Sequence, residues 1–441
     1  MQTFDEAVAE FVKQSEELLH QESPEDRPAP APAPLDPSAV PVPSLLQLTE
    51  PLIRRYAGAM GEDNPLYVDP AYGERSWLGS QICPGTILIH VRYPGDHGAQ
   101  RPRGYPVANF LSGVAWEFYD VLRPGMRFGS SKVPRELTVS RGRLAPAISH
   151  HSETFYWDNS RALVAKAYGR LLHLPVPEMG DSRMIPVERL GERLFYDRRP
   201  HAYTAEQIER LQALAGGERR RGGSPLTWEE IQVGDRLPAI VQPPYTMWDE
   251  LPYQAMDHGL DAAFDGSRLV RAFRPGYLRA RRNPDFARVH PVTGWPYTPY
   301  DEHEDRFLSP YRCEPLPFEF GIQRAQIPLR LLTNWAGDHG FVHRMYTSMR
   351  KPVFYGDAVV FTGTVVRKYL AERTDGVSRS VRYPAAAVEI VGTNQRDEVH
   401  CLGYATVLLP SEVHGPLTLP VPHPDRPAYV PFDEHRRADW F

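Results

Sequence analysis

Residues 56–69 read YAGAMGEDNPLYVD and carry the end of a predicted helix into an acidic loop. The helix is expected to start at Thr49, whose hydroxyl can cap it, with Pro51 in its first turn. Apolar side chains then recur at helical spacing; they are Leu52, Ile53, Tyr56, Ala57 and Met60. Further on, Pro84-Gly85-Thr86 opens a second helical signal that continues through Ile89. The first folded unit is therefore predicted to begin with a helix, an acidic loop and a second helix start.

Strand-like segments follow this second helix start. They are residues 109–119, 126–140, 148–158 and 162–174. Asn159-Ser160 lies between the last two segments and predicts a hairpin turn. Residues 164–170 alternate between apolar and polar side chains, as expected of a strand with one buried face. Helices followed by antiparallel strands indicate an α+β unit.

A similar layout recurs in the second part of the chain. Residues 352–357 open a strand pair, residues 388–391 lead into a turn at Asn394-Gln395, and residues 401–409 close the sheet. Two copies of one order of elements favour an internal duplication. Pro328 should kink a helix that begins at Gly321, or move its regular part downstream.

The pattern divides the chain into five predicted segments. They are an N-terminal helix with a Pro/Ala-rich linker (1–43), a first unit (44–180), a connecting segment (181–224), a second unit with a long insertion (225–412) and a C-terminal tail (413–441). A short helix is expected near 204–215 in the connecting segment. The insertion carries four arginines, which either grip the phosphates of a coenzyme or belong to a solvated loop; they are Arg279, Arg281, Arg282 and Arg288.

The composition excludes several classes of protein. A chain of 441 residues with 41% hydrophobic content can bury two core units. The net charge of −5 argues against a nucleic-acid partner. The three cysteines are far apart and lack metal-site spacing, which favours a reducing cytoplasm. The acidic start lacks the basic region of a signal peptide, and no run of about 18 apolar residues predicts a membrane span.

Motifs in both parts of the chain resemble the MaoC-like family of hotdog hydratases and dehydratases, above all the branch with a MaoC N-terminal dehydratase domain. The resemblance covers nearly all of residues 44–412. It rests on residues 56–69, Ser76, Gly79, 84–86, 320–324, 332–338, 352–353 and 356–357. It implies a double hotdog, in which two long helices are each wrapped by a curved antiparallel sheet. The two units would pair side by side, with a tunnel for the acyl thioester along the pairing.

The resemblance also implies a reaction, the reversible addition of water to the double bond beside a thioester. The substrate would be an acyl-CoA or acyl carrier protein thioester, without a cofactor, and the protein would be a homo-oligomer. This chemistry needs one group to hold the water, a second for the α-proton, and an N–H for the enolate oxygen. The family motif Gly-Asp-x-Asn-Pro-x-His supplies an Asp/His pair, and Glu62 and Tyr67 take those places here. A tyrosine can donate a proton but is a poor base at neutral pH.

The second unit offers another candidate acid or base. His303, followed two residues later by Asp305, resembles the His-x-Asp that precedes the second hotdog helix in the family. Thr298 stands five residues before it, where the family pair would have an acid, and a hydrogen-bonding loop histidine is the alternative. Gly85 and Gly321 are candidate oxyanion donors at helix starts, or sites of tight packing. Candidate substrate-binding residues are Asp63, Asn64, Asp305, Arg324 and Asp338.

Three functions are consistent with these residues. The first is an enzyme, an enoyl-thioester hydratase or 3-hydroxyacyl-thioester dehydratase with unusual acid and base residues. The second is a hotdog that binds acyl thioesters without turnover and partners an active subunit, because the Asp/His pair is incomplete. The third is a hotdog thioesterase, for which Glu319 would be the carboxylate.

Overall fold

A computed structural model describes residues 3–24, 47–96, 98–99, 107–141, 146–175, 196–257, 290–294, 301–437 and 440–441. Most of the Pro/Ala-rich linker and the four arginines of the insertion lie outside these residues. The five-segment division of the chain stays a prediction.

The helices of the described residues are mostly short. They are α1 (Phe4–Glu16), α2 (Glu50–Ala59), α3 (Pro65–Val68), α4 (Pro70–Arg75), α5 (Ala205–Gly216), α6 (Met247–Asp257), α7 (Asp301–Glu304), α8 (Gly321–Arg324) and α9 (Pro328–Ala336). Short 3-10 helices add Gly85–His90, Trp228–Glu230, Ser309–Arg312 and Phe432–Arg436. Thr49 caps α2 as predicted, and α5 confirms the helix expected in the connecting segment. No helix among the described residues has both the length and the apolar character that a membrane crossing requires.

Within the described ranges, ten strands form one antiparallel sheet. They are β1 (Ser23–Pro24), β2 (Val107–Phe118), β3 (Gly129–Ser140), β4 (Ala147–Trp157), β5 (Leu163–Pro175), β6 (Arg236–Gln242), β7 (Phe341–Met349), β8 (Val359–Thr374), β9 (Ser380–Asn394) and β10 (Val399–Leu408). Their order is β1-β3-β4-β5-β2-β7-β10-β9-β8-β6. The predicted strands are confirmed, and Asn159-Ser160 forms the turn between β4 and β5. Residues 164–169 are buried on both faces, however, and not on one as predicted, because the C-terminal tail covers the second face.

The two halves of the sheet join through one strand pair. β2 of the first half pairs with β7 of the second half, from Gly113 opposite Ser348 to Glu117 opposite Arg344. Each half places its helical segment on the same face as Trp116, whose indole N–H donates to Gln326 at 3.0 Å. This arrangement is the double hotdog that the resemblance implied.

The helices that the two sheets wrap differ from the long helices that were expected. In the first half, Gly85–His90 is a 3-10 helix of six residues. Pro94 lies shortly after it, and proline disfavours helical geometry in the residue before it. In the second half, the turn α8 is separated from the regular helix α9, which begins at Pro328 as one of the two alternatives predicted.

Both ends of the chain pack on the sheet. Val8 and Phe11 of α1 contact Ile148 of β4. The C-terminal tail covers the sheet face opposite Trp116, where its buried aromatic residues join a cluster with the strands; the cluster is Ala115, Tyr168, Tyr346, Ala387, Phe432 and Phe441. The tail therefore spans the junction between the two halves.

Candidate active site

The acidic loop after α2 has a backbone that its own sequence fixes. Gly61 adopts φ +67°, in the left-handed region where glycine is favoured. The amide of Glu62 donates to the carbonyl of Ala57 at 2.8 Å and so closes the end of α2. The Asn64 side chain caps α3 by accepting from the amide of Leu66 at 3.1 Å. These bonds hold the loop in place around the carboxyl of Glu62.

Glu62 is a buried carboxyl group with an altered acidity. The residue is only 6% exposed, and its Oε1 accepts a hydrogen bond from the amide of Asn64 at 3.2 Å. Burial raises the pKa of Glu62 to about 7, although the positive charges of Arg330 and Arg220 act in the opposite direction. A carboxyl group with this pKa can accept and release a proton near neutral pH.

Tyr67 lies close enough to this carboxyl group for the charge of Glu62 to act on its phenol. Burial raises the pKa of its phenol well above the usual value, and the negative charge of Glu62 adds to the shift. The side-chain amide of Gln81 donates to the Tyr67 carbonyl at 2.6 Å and holds the backbone. The phenol therefore stays protonated at physiological pH and can act as a donor.

The second half supplies one wall of this site. The guanidinium of Arg330 on α9 donates to the carbonyl of Gly61 at 2.7 Å, and the hydroxyl of Thr333 lies beside the Tyr67 phenol. Asp338, just beyond α9, accepts from the Tyr72 hydroxyl at 2.5 Å. We call this set the first-half site; it comprises Glu62, Tyr67, Gly85, Arg330, Thr333 and Asp338.

Gly85 belongs to the same neighbourhood. Cys83, two residues before it, is close enough to contribute to the raised pKa of Tyr67. The hydroxyl of Tyr56 donates to Thr86 at 2.8 Å, which fixes the helix start. A Cβ atom at Gly85 would lie 2.6 Å from the ring of Phe118, so a larger residue would have to displace this ring. The Gly85 amide donates no hydrogen bond to another described residue.

His303 lies in a second, separate cluster. Its Nδ1 is 3.2 Å from the carbonyl oxygens of both Phe318 and Glu319, and its Nε2 is 3.0 Å from the guanidinium of Arg312. Burial, with the charge of Arg312, holds the pKa of His303 well below its usual value. The ring is therefore neutral, with both nitrogens engaged in contacts that anchor the chain before α8. Its predicted catalytic role stays a prediction that this geometry does not favour.

The other predicted residues of the second half are similarly occupied. Arg324 is buried and forms an ion pair with Glu319 at 2.8 Å, and it also contacts the Lys351 carbonyl. Burial raises the pKa of Glu319 to about 8, against the charge of Arg324. Asp305 caps the turn at Phe307, whose amide donates to it at 2.7 Å. These contacts favour structural roles over substrate binding.

The structure thus divides the predicted site residues into two groups at opposite ends of β2. Gly85 packs on Phe118 at one end, and Gly321 packs on Leu111 near the other. Asp63 belongs to neither group, because its side chain is 83% exposed and pairs with Arg220. Within the described part of the chain, no group of three or more His, Cys, Asp or Glu side chains is placed to hold a metal ion.

Sequence reasoning missed the residues that surround Glu62 from elsewhere in the chain. Arg330, Arg220 and Thr333 are more than 150 residues away from Glu62 in sequence. Arg330 offered one local signal, because it is a single charge inside the apolar run of α9. The contacts themselves depend on how the two halves pair, which no local pattern contains.

Replacing Glu62 with glutamine should change the pH dependence of stability. The pKa of Glu62 is about 7 in the folded protein, against an ordinary value of 4.5. Because the pKa of Glu62 is higher in the folded than in the unfolded protein, the protonated carboxyl contributes its full stability below pH 4.5. This contribution is lost as the pH rises through 7. Glutamine cannot ionise and does not lose this contribution. From acidic pH to pH 8, the free energy of unfolding of Glu62→Gln should therefore rise by roughly 3 kcal/mol relative to that of the unmodified protein. Urea unfolding at both pH values measures this difference.

The exposed Glu74 on α4 offers a matched control. Glu74→Gln should show no such pH-dependent difference. If Glu62→Gln behaves like this control, the carboxyl group of Glu62 is not desolvated in the folded protein.

The fold and the pairing of its halves define this chain as a double-hotdog protein. No family model and no curated protein sequence matches it. A solved structure described as a MaoC-like dehydratase superimposes with a TM-score of 0.56 at 12% identity, over 89% of this chain and 99% of its own. The chain therefore has the fold of the MaoC-like dehydratases.

Two further solved structures are similar over most of their length. A MaoC domain dehydratase from Chloroflexus aurantiacus J-10-fl gives a TM-score of 0.46 at 13% identity, over 89% of this chain and 96% of its own. RV0216 from Mycobacterium tuberculosis, which has a double hotdog fold, gives 0.46 at 12% identity, over 90% of this chain and 98% of its own.

Proposed function

We propose that this protein adds water to the double bond of an enoyl thioester at the first-half site, and catalyses the reverse dehydration of a 3-hydroxyacyl thioester. The observation that carries the proposal is that Glu62, a buried carboxyl with a pKa of about 7, lies within electrostatic reach of the protonated phenol of Tyr67. One group can take a proton and the other can give one at the same pH. That is the requirement of water addition beside a thioester.

In the direction of hydration, the carboxylate of Glu62 takes a proton from water while the water oxygen bonds to the β-carbon. The electron pair of the double bond moves toward the carbonyl, and the amide of Gly85 stabilises the resulting enolate oxygen. The phenol of Tyr67 then protonates the α-carbon. Proton return from Glu62 to the phenolate, whose pKa is far higher, restores both groups. Water is consumed, and one hydroxyl and one hydrogen are gained by the acyl chain.

The carrier of the acyl chain is proposed to be coenzyme A or an acyl carrier protein, and the protein is proposed to act as a cytoplasmic homo-oligomer. The presence of Tyr67 in place of the family histidine supports one alternative, a partner subunit that binds acyl thioesters without turnover. That alternative predicts binding of an enoyl thioester with unchanged absorbance, and turnover only after a second hotdog protein is added. A thioesterase is less well supported, because Glu319 is bound to Arg324.

The pH profile of hydration tests the proposed roles. Water addition requires Glu62 ionised and Tyr67 protonated, so kcat/KM should rise with pH through a midpoint of about 7. No falling limb is expected up to pH 9, because the pKa of Tyr67 is well above its usual value. Loss of the ultraviolet absorbance of short, long and branched enoyl thioesters measures the rate. Absence of hydration across this panel, without added partner, would contradict the proposal.

A further inference from the structure

Arg330 of the first-half site joins three separate parts of the chain. It belongs to α9 of the second half, and its side chain is 12% exposed. One terminal nitrogen donates to the Gly61 carbonyl at 2.7 Å. The other donates to the Val241 carbonyl of β6 at 2.9 Å and to the carboxylate of Glu218 at 3.2 Å. The acidic loop, β6 and the connecting segment therefore meet at one guanidinium group.

The contact with Gly61 is tight. A Cβ atom at that position would lie 2.8 Å from the terminal nitrogen of Arg330, and the backbone there has φ +67°. The positive φ favours glycine here, and any larger residue would also have to displace the guanidinium from its present position. The carbonyl that Arg330 holds belongs to the peptide unit that ends at the nitrogen of Glu62. The guanidinium therefore fixes the peptide from which the Glu62 side chain leaves the backbone.

Glu218 in turn fixes Arg330. Its carboxylate accepts from Arg330 and also from the amide of Val241 at 2.6 Å. A planar guanidinium with several donors can serve all these acceptors at once, whereas a lysine ammonium cannot match the same geometry. The contacts point to a preorganised support rather than a surface ion pair.

We propose that Arg330, held by Glu218, is the positioning residue for the carboxyl group of Glu62. The inference rests on the function proposed above for the first-half site. Arg330 acts through the Gly61 peptide and through its charge, without touching the substrate itself. The connecting segment thereby becomes part of the site, because Glu218 lies in it.

Charges of both signs act on Glu62, so two variants with opposite expected effects on its ionisation can test the proposal. Arg330 on α9 and Arg220 in the connecting segment favour the ionised carboxylate, whereas Glu218 disfavours it. Tyr67 stays neutral, and Asp63 is paired with Arg220. Removing the positive charge of Arg330 should therefore make Glu62 harder to ionise, and removing the negative charge of Glu218 should make it easier.

The experiment measures the pH profile of enoyl-thioester hydration by three variants of the full chain. Arg330→Met should move the midpoint of the rising limb upward by about 0.5 to 1 pH unit, and Glu218→Gln should move it downward. Arg330→Lys keeps the charge but loses the geometry, so kcat should fall at least ~10-fold with little change in KM or midpoint. Full activity of Arg330→Lys would overturn the positioning role.

Arg221 offers a matched control, because its guanidinium donates to the Trp335 carbonyl of α9 at 3.1 Å. Arg221→Met should leave the midpoint unmoved. A second readout needs no activity. The stability difference between the unmodified protein and Glu62→Gln grows with pH up to the folded pKa of Glu62, so the pH at which it stops growing should rise in an Arg330→Met background. If Glu62→Gln abolishes turnover but Arg330→Met moves neither the kinetic midpoint nor this upper pH, this inference fails and the proposed function stands. If Glu62→Gln leaves turnover intact, the proposed function fails, while the upper pH of the stability difference still tests Arg330.

Discussion

Glu62→Gln is expected to lower the turnover of an enoyl thioester by ~100- to 10,000-fold, the usual contribution of a general acid or base. Glutamine keeps the shape of the side chain and can still accept from the Asn64 amide, but it cannot take a proton from water. The effect should therefore fall on kcat, with KM changed little. Stopped-flow absorbance at pH 8, where the unmodified carboxyl is ionised, measures both constants.

Two further variants decide how this loss is read. Glu74→Gln changes an exposed glutamate on α4 in the same way and should retain full activity. Glu62→Asp keeps a carboxyl group but withdraws it by one methylene, so part of the rate should remain. Turnover by Glu62→Gln equal to that of Glu74→Gln would remove Glu62 from the mechanism.

The local elements of the fold were predictable because local signals specify them. Alternating side chains and the Asn159-Ser160 turn indicated a hairpin, and β4 and β5 form it. Pro328 cannot occupy a helix interior but suits the first turn, and α9 begins there. The short first-half helix was not predicted, because the expected long helix came from the family resemblance. Pro94, shortly after the helix, disfavours its continuation.

The candidate site was only partly predictable, for two physical reasons. Glu62 and Tyr67 were found from the motif, but the burial that raises the pKa of Glu62 depends on the folded protein and not on the local sequence. His303 was favoured because its position resembles the family His-x-Asp, and because the ordinary pKa of histidine suits acid–base work. That reasoning ignores neighbours, and burial, together with Arg312 beside the ring, lowers the pKa of His303 out of the useful range. A residue type therefore predicts a capability, and its contacts decide whether the capability is available.

The hydroxyl of Tyr67 leads to the second large expected effect. Tyr67→Phe keeps the buried ring and its packing but removes the hydroxyl that takes the place of the family histidine. If the phenol protonates the α-carbon, kcat for hydration should fall by ~100- to 1,000-fold. The rising limb near pH 7 should persist, because it belongs to Glu62. Steady-state rates from pH 5 to 9 with one enoyl thioester measure both features.

Tyr67→His provides the counterpart to this loss. An imidazole can donate and accept a proton, so it should recover part of the rate that Tyr67→Phe loses and add its own titration below pH 7. Deuterium incorporation at the α-carbon in heavy water follows the same proton directly, and Tyr67→Phe should slow it in step with turnover. Should Tyr67→Phe hydrate and exchange at the unmodified rate, the phenol is not the proton donor. Glu62 alone would then have to take a proton from the water that adds to the β-carbon and give a proton to the α-carbon within one turnover.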